Sequence, residues 1–294
     1  MIYELSNSQL KIKTSSLGAE LQSLFSVAMQ QELLWQADPK YWARHAPVLF
    51  PIVGKLANDK LKVGDQLFPM GQHGLARDSE FIVISQLKNS ITFQLTSSPQ
   101  TLKHFPFDFQ LIVEYTLLDD TLLTTYTVVN PATTVLRFSL GAHPAFNWPL
   151  IKGIDKKQYK IIFNKEENGL ISQLENGLIK HNDITSPVNN KILMLDDGLF
   201  EHDALIFKNI KSKSIRYESA QNDDVNAAIE LHFEDFNDLG IWTKPGAGFI
   251  CLEPWLGYSS DVGFDGDFFN KPGIIQLPGQ SSRSFSFETI VSMH

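Results

Sequence analysis

The feature that most constrains the fold of this chain is a recurring alternation of apolar and polar residues with a period of two. It is clearest in four segments, at residues 91–96, 111–115, 229–233 and 285–290. Successive side chains of a β-strand point to opposite faces of a sheet, so this alternation indicates strands that bury one face. We therefore predict an all-β fold with very little helix.

The same strand-like pattern continues from the first residues to the last, and no linker, low-complexity tract or fixed repeat divides it. We expect one continuous β domain over residues 1–294. Periodicity does not separate a large sandwich from a barrel or a propeller, although the missing repeat disfavours a propeller. The stretch between Ile151 and Gly198 is rich in Asn, Lys and Gly, and we expect exposed, mobile loops there.

Two local signals refine the predicted secondary structure. Two adjacent acids lie between β-rich runs within Tyr115–Tyr126, which predicts a hairpin. A helix is predicted only at Asp38–Trp42, where Asp can cap the first turn and Pro can occupy it. This helix must be short because Pro47 follows soon after.

The charge and cysteine content exclude several classes of partner. The chain has 33 acidic and 25 basic residues, a formal net charge of −8, and no compensating block of Lys or Arg. We therefore expect no binding to nucleic acid or to membrane surfaces. Cys251 is the single cysteine, so no intramolecular disulfide can form. Together with an N-terminus that does not resemble a signal peptide, this predicts a cytoplasmic protein.

The first of four unusual segments is the apolar run from Arg44 to Lys55, which contains Pro47 and Pro51. Two such prolines cannot both serve a central strand, so the run predicts an edge strand or a rigid wall. Lys55 has two interpretations, a solvated turn residue or a contact to a substrate hydroxyl or phosphate. For Arg44 and His45 a structural role is favoured.

The second segment places a histidine between glycines, in Gly71-Gln72-His73-Gly74, with Arg77 four residues further on. Flanking glycines would let a ligand approach the backbone and would aim the imidazole outward, while arginine supplies a planar fork of donors. The alternative is a turn in which the histidine is merely exposed.

The third and fourth segments each carry one ionisable side chain among apolar residues. His143 is flanked by small residues and followed by Pro, Phe and Trp, which suits an imidazole beside a wall for a sugar face, or else a satisfied core histidine. Glu253 is predicted to end the apolar strand that starts at Phe249, as a paired structural charge or a tuned base. Asp203 precedes another strand-like run and is either a turn residue or an acceptor for sugar hydroxyls.

Taken together, these segments resemble the aldose 1-epimerase (galactose mutarotase-like) family over nearly the whole chain. The resemblance is carried, in chain order, by Gln72-His73-Gly74 with Ala76-Arg77, by Gly141-Ala142-His143-Pro144, by Asp203, and by Leu252-Glu253-Pro254-Trp255. It implies a large antiparallel β-sandwich of the supersandwich kind. It also implies that the substrate is an aldose sugar and that no metal or other cofactor is required.

The resemblance implies a role for each matching residue. Glu253 is the catalytic base, His143 the catalytic acid and His73 a second histidine near the ring oxygen. The implied substrate contacts are Asp203, Arg77, Lys55 and Gln72. One departure concerns the Asn-Arg pair that galactose mutarotases carry after the first wall, where this chain reads Gly54-Lys55-Leu56-Ala57-Asn58-Asp59. Lys55 or Arg77 is expected to replace the missing arginine, and the Gln-His-Gly-x-Ala-Arg form is closer to hexose-6-phosphate epimerases.

The predicted reaction is the interconversion of α and β anomers by ring opening and closure. We expect Glu253 and His143 to act from opposite sides of the sugar, across a space the size of a pyranose. A non-catalytic sugar-binding module is one alternative. A metal-dependent hydrolase using His73, His143 and Glu253 is disfavoured, because no His-x-x-x-His or His-x-His spacing is present. The sequence leaves the oligomeric state open.

Overall fold

The computed structural model describes residues 1–220 and 227–293. The strands are β1 (Ile2–Ser6), β2 (Leu10–Ser15), β3 (Leu21–Ser26), β4 (Gln31–Glu32), β5 (Val48–Leu49), β6 (Lys60–Val63), β7 (Gln66–Pro69), β8 (Ile82–Gln86), β9 (Ser90–Thr96), β10 (Gln110–Leu118), β11 (Thr121–Asn130), β12 (Leu136–Phe138), β13 (Leu140–Ala142), β14 (Ala145–Asn147), β15 (Tyr159–Phe163), β16 (Leu170–Ile171), β17 (Leu174–Glu175), β18 (Leu178–Ile179), β19 (Ile184–Thr185), β20 (Ile192–Met194), β21 (Leu205–Phe207), β22 (Ser214–Ser219), β23 (Ala227–His232), β24 (Asp238–Trp242), β25 (Phe249–Leu256), β26 (Ile275–Leu277) and β27 (Ser281–Met293). Short 3₁₀ helices cover Ala57–Asp59, Ala76–Asp78, Thr101–Lys103, Lys156–Gln158, Asp197–Phe200 and Phe268–Asn270.

Two large sheets dominate the architecture. Nine strands form the first sheet in the order β20-β15-β22-β23-β27-β11-β10-β9-β8. The second has the order β21-β24-β25-β13-β5, and β14 also pairs with β25. Neighbouring strands in both sheets run antiparallel. A four-stranded sheet, β1-β2-β3-β4, and several two-stranded ribbons complete the fold.

The main core lies between the two large sheets. Phe93 and Val113 of the nine-stranded sheet belong to the same buried cluster as Leu239 and Leu252 of the second sheet. The two sheets therefore bury their apolar faces against each other, as in other sandwiches. This confirms the predicted large antiparallel β-sandwich with very little helix.

Strand β25 is buried on both faces, and its alternate residues lie in different surroundings. Ile250 and Leu252 belong to the core between the sheets, whereas Cys251 and Trp255 belong to two smaller clusters. Glu253 has the same parity as Cys251 and Trp255, so its side chain points away from the main core. The outer face of this sheet therefore carries the candidate site.

Two local predictions are confirmed. β10 and β11 form the expected hairpin, in which Leu118 pairs with Thr121 and Asp119 adopts a φ of 51° in the turn. The proline-flanked run contributes β5, which lies at the edge of the second sheet, as the two prolines require.

The predicted helix at Asp38–Trp42 is wrong, because this stretch forms a single turn. The capping signal is real: the Asp38 carbonyl accepts hydrogen bonds from the N–H groups of Tyr41 and Trp42, both at 3.0 Å, and its carboxylate accepts from Lys40 N–H. One turn makes too few hydrogen bonds to propagate a helix without further support.

Among the described residues, no helix has the length and apolar character needed to cross a membrane.

The prediction of loops between Ile151 and Gly198 is incomplete. Strands β15 to β20 lie in this stretch, and β15 is an interior strand of the nine-stranded sheet. Tyr159, Ile161 and Phe163 are its buried residues. The surrounding Asn, Lys and Gly residues obscure this short alternating run in the sequence.

Candidate active site

A cavity of about 310 Å³ lies over the outer face of the second sheet. Its lining residues are Trp42, Gly54, Gln72, His73, Arg77, His143, Leu174, Asp203, Ala204, Ile206, Trp242, Glu253, Trp255 and Ser259. All predicted site residues except Lys55 are among them. A second cavity of about 390 Å³, beside the β6–β7 ribbon, contains none of the predicted residues.

Glu253 lies within β25 and does not end it, so the prediction of a strand-end acid is wrong. The strand continues through Pro254, which pairs with Leu239 of β24. The backbone N–H of Leu252 donates a hydrogen bond to the Pro144 carbonyl. Backbone nitrogens two residues apart in a strand point to the same side, so the ring nitrogen of Pro254 faces the same neighbouring segment. Strand pairing is interrupted there between β13 and β14, and β25 can therefore accommodate a proline.

His143 lies in this interruption, which places its side chain next to Glu253. The distance from His143 Nε2 to Glu253 Oε2 is 3.1 Å. The expectation of a pyranose-sized gap between the two groups is therefore wrong. The physical reason is that the interruption between β13 and β14 brings His143 directly against the neighbouring strand β25.

Burial shifts the pKa values of both side chains so that the neutral form of each is favoured. Desolvation raises the pKa of Glu253 well above its usual value, and the negative charge of Asp203 adds to this while the nearby Trp255 indole opposes it. Desolvation lowers the pKa of His143 to about 3. Desolvation thus disfavours the carboxylate of Glu253 and the imidazolium of His143 alike.

His73 lies at the same wall, with its ring 5.3 Å from that of His143. Its Nδ1 accepts a hydrogen bond from the Gly54 N–H at 3.1 Å, so the proton of the neutral ring resides on Nε2. Burial lowers the pKa of His73 well below its usual value. The following Gly74 is needed for a different reason from the one predicted: a Cβ there would lie 2.2 Å from the Phe50 carbonyl oxygen.

Arg77 and Gln72 reach the cavity from the segment around His73. Gln72 is exposed at the rim, whereas Arg77 is largely buried. Asp78 is shared by two arginines, with Arg77 Nε at 3.6 Å and Arg44 Nη2 at 2.8 Å. The ion pair with Asp78 agrees with the structural role predicted for Arg44.

Lys55 does not line the cavity. Its Nζ lies 3.7 Å from Asp59, and its side chain passes close to Gly177. The backbone turns at Gly54, which carries the lysine side chain away from the site. His45 also has a structural contact, since its N–H donates to the Glu20 carboxylate.

Asp203 lies at the mouth of the cavity, in the loop before β21. Its φ is 76°, which is unusual for a residue other than glycine, and its carboxylate accepts a hydrogen bond from the Ala204 N–H at 2.9 Å. Although the residue is exposed, partial desolvation by the cavity walls raises the pKa of Asp203. The carboxylate retains free lone pairs for a polyhydroxylated ligand.

Sequence reasoning missed several lining residues. Trp42 stacks on His143 with ring centroids 4.9 Å apart, and Trp242 meets the same imidazole edge-on at 5.9 Å. Ser259 is buried, and its hydroxyl accepts a hydrogen bond from Lys55 N–H at 3.0 Å. The position of Trp42 directly before the proline-rich wall was the one available signal for these residues.

Two glycines make room for the Trp255 indole on the cavity floor. Gly240 is paired with Glu253 in β24, and a Cβ there would lie 2.5 Å from the Trp255 ring. Gly141 is paired with Trp255 in β13, and its Cβ would lie 2.7 Å from that ring. Strands on both sides therefore lack side chains where the indole lies flat beside Glu253.

The described residues contain one group with metal-ligand chemistry, formed by His143, Cys251 and Glu253. Their potential ligand atoms lie within 4.8 Å of one another. The metal-dependent hydrolase alternative predicted His73 as the third ligand, whereas the third residue of this group is Cys251, whose thiol is completely buried.

Comparison with known proteins adds independent findings. The aldose 1-epimerase family model matches residues 1–286. The chromosomal LacX protein of Lactococcus lactis subsp. lactis is 35% identical, over 99% of this chain and 100% of that protein. The crystal structure of a galactose mutarotase related enzyme from Lactobacillus acidophilus has 32% identity and a TM-score of 0.93, covering 99% of this chain and 97% of that one. A galactose mutarotase-like protein from Lactobacillus casei has 30% identity and a TM-score of 0.91, covering 99% and 100%.

Proposed function

Because this chain belongs to the aldose 1-epimerase family, we propose that it interconverts the α and β anomers of an aldose by opening and closing the sugar ring. The observation that carries this proposal is the 3.1 Å contact between His143 Nε2 and Glu253 Oε2 on the wall of a sugar-sized cavity. An acid and a base in contact can serve two oxygens on one carbon atom.

Ring opening requires one proton to leave and another to arrive. Glu253, as carboxylate, removes the proton of the anomeric hydroxyl while protonated His143 donates a proton to the ring oxygen. The bond between the anomeric carbon and the ring oxygen breaks, and an open-chain aldehyde forms. Rotation about the bond between the first two carbons exposes the other carbonyl face. Closure with the two roles reversed gives the other anomer and restores both groups.

The contact between the two side chains also explains how a buried site can hold an acid and a base together. A proton that passes from the Glu253 carboxyl group to His143 produces the carboxylate and the imidazolium at once, with no change in net charge. The enzyme therefore avoids placing an uncompensated charge in a desolvated cavity, which would be costly.

The remaining lining residues orient the sugar. His73 presents an Nε2–H donor on the same wall and stays neutral, so it stabilises the ring oxygen by hydrogen bonding while His143 supplies the proton. Asp203 accepts hydrogen bonds from sugar hydroxyls at the mouth, and Gln72 and Arg77 provide donors from the opposite segment. The Trp255 indole offers an apolar face on the floor.

A hexose 6-phosphate is a second candidate substrate, and one observation favours it. Arg77 lines the cavity, its buried Nε has no hydrogen-bond partner among the described residues, and the nearby Asp78 carboxylate is held at 2.8 Å by Arg44. A guanidinium group is well suited to a phosphate oxygen pair. Lys55 lies away from the cavity and does not contribute to this charge.

The activity is tested by polarimetry of freshly dissolved α-glucose and α-galactose, and of their 6-phosphates in a parallel anomerisation assay. We expect the purified protein to accelerate the approach to equilibrium for at least one of these sugars. The rate should be unchanged by EDTA, whereas a metal-dependent enzyme would be inhibited. No acceleration with any free or phosphorylated aldose would contradict the proposal.

Two substitutions separate an enzyme from a sugar-binding module. Glu253→Gln should fold normally and lose the rate contribution of the base, about 10²–10⁴-fold. His143→Ala should lose rate far more than sugar affinity, measured by calorimetry. Undiminished turnover in the first variant would remove Glu253 as the base, and unchanged turnover in the second would favour a binding module.

We also propose that the protein is a single-domain cytoplasmic enzyme. The supporting observation is its single, fully buried cysteine, which suits a reducing compartment.

A further inference from the structure

Trp42 is the side chain that covers the ring of His143. The two rings are nearly parallel, with centroids 4.9 Å apart and an interplanar angle of 26°. Trp42 also stacks on Phe249, at 5.6 Å and 29°, and meets Trp242 edge-on at 5.7 Å. The imidazole thus packs against an aromatic cluster formed by Trp42, Trp242 and Phe249.

The chain around Trp42 is fixed although it forms no helix or strand. The indole N–H of Trp35 donates to the Trp42 carbonyl at 2.9 Å, and Lys244 Nζ donates to the Tyr41 carbonyl at 3.3 Å. Trp35 itself packs on Phe249 with centroids 5.1 Å apart. The indole therefore has little freedom to leave the imidazole.

The charged and titratable groups that face His143 determine how readily its imidazole is protonated. Glu253 lies at 3.1 Å, the Cys251 thiol lies within 4.8 Å and His73 lies edge-on at 5.3 Å. The positive charges of Arg77 and Arg44 disfavour an imidazolium. Burial disfavours it further. An acid in this position needs a partner that stabilises the protonated ring, and the π face of tryptophan is the strongest such partner among aromatic side chains.

We propose that Trp42 is a positioning residue, which fixes the plane of the His143 imidazole and stabilises its protonated form during ring opening. This inference rests on the proposed role of His143 as the acid. It assigns to Trp42 an effect on the rate of the chemical step and little effect on the binding of the sugar.

The test compares Trp42→Leu and Trp42→Phe with Phe269→Leu as matched control. Phe269 packs on Phe107 with ring centroids 5.5 Å apart, does not line the cavity and has no ring contact with Trp42 or His143 in the described structure. In Trp42→Leu we expect kcat to fall about tenfold with KM little changed. Trp42→Phe should fall between this variant and the wild-type protein, since phenylalanine retains a weaker π face. Phe269→Leu should remain close to wild type.

The pH profile provides a readout that a purely structural role would not move. Loss of the stack destabilises the imidazolium form of His143, so the limb of the kcat profile that reports protonation of His143 should shift to lower pH in Trp42→Leu. An unshifted limb, or an equal loss of kcat in Phe269→Leu, would overturn the inference.

Failure of the proposed function can be recognised separately. If the wild-type protein turns over no aldose, the crystal structure of Trp42→Leu decides the role of Trp42. We expect the imidazole to rotate away from the 3.1 Å contact with Glu253. An imidazole that keeps its place there would overturn the positioning role.

Discussion

At the scale of single residues, the proposed chemistry depends on an acid that is almost completely desolvated. Glu253 is 1% exposed, and no described basic side chain neutralises it as a permanent ion pair. A group of this kind costs stability when it ionises, which proteins accept at sites where a displaced pKa is useful. The same property can be measured in the absence of any substrate.

We predict that Glu253→Gln becomes more stable relative to the wild-type protein as pH rises. The pKa of Glu253 in the folded protein is raised above its ordinary value of 4.5, so the folded state binds more protons than the unfolded chain above that pH. Its contribution to stability is therefore present at low pH and is lost as pH rises. Urea unfolding at pH 5 and pH 8 measures the difference.

The control for this prediction is Glu4→Gln, because Glu4 is exposed and paired with Lys13 on the surface. It should show no comparable dependence on pH. A difference between Glu253→Gln and wild type that stays constant from pH 5 to pH 8 would show that Glu253 is not a desolvated acid.

At the scale of elements, the site depends on positions in three neighbouring strands where a side chain or strand pairing is missing. β24 and β13 place Gly240 and Gly141 beside the Trp255 indole, and β13 and β14 leave the interruption that contains His143. The two glycines make room for Trp255, and the interruption makes room for His143. The arrangement is therefore sensitive to small additions of volume on the outer face of the sheet.

We predict that Gly240→Ala destabilises the fold and reduces anomerisation together. The new Cβ would lie 2.5 Å from the Trp255 ring, so the indole must move from its place beside Glu253. Overpacking of this kind costs about 1–3 kcal/mol. Urea unfolding and polarimetry measure both effects.

Gly248→Ala is the matched control for this substitution. A Cβ at Gly248 meets its nearest atoms at 3.8 Å, which is ordinary contact. Equal losses of stability and of anomerisation rate in the two variants would mean that a clash with Trp255 does not explain the effect of Gly240→Ala.

At the scale of the whole molecule, the main core and the proposed site lie on different faces of the second sheet. Its inner face joins the core shared with the nine-stranded sheet, and its outer face forms the floor of the cavity. The core can therefore be weakened at a distance from the site. The remaining folded molecules should keep their chemistry.

We predict that Phe93→Ala lowers the free energy of unfolding by about 3–5 kcal/mol and leaves kcat per folded molecule unchanged. Phe93 is completely buried in the main core and does not line the cavity. Thr92→Ala, on the other face of the same strand, should cost far less. A kcat that falls with stability would show that the sheet transmits core packing to the site.

The sequence by itself determined the features that depend on neighbours along the chain. Alternation identified the strands, two acids identified the β10–β11 hairpin, and two prolines identified an edge strand. Motif resemblance selected Glu253, His143 and His73 because their local surroundings are distinctive. These signals are local, since strand faces and turns follow from residues a few positions apart.

Only the tertiary structure decided which of these groups meet. The contact of His143 with Glu253, the outward path of Lys55 and the stack of Trp42 on the imidazole all depend on strand order and on the interruption between β13 and β14. The single turn at Asp38–Trp42 likewise has a helix-capping signal but no length to support a helix. Contacts between residues far apart in the chain are determined by packing, and no local pattern records them.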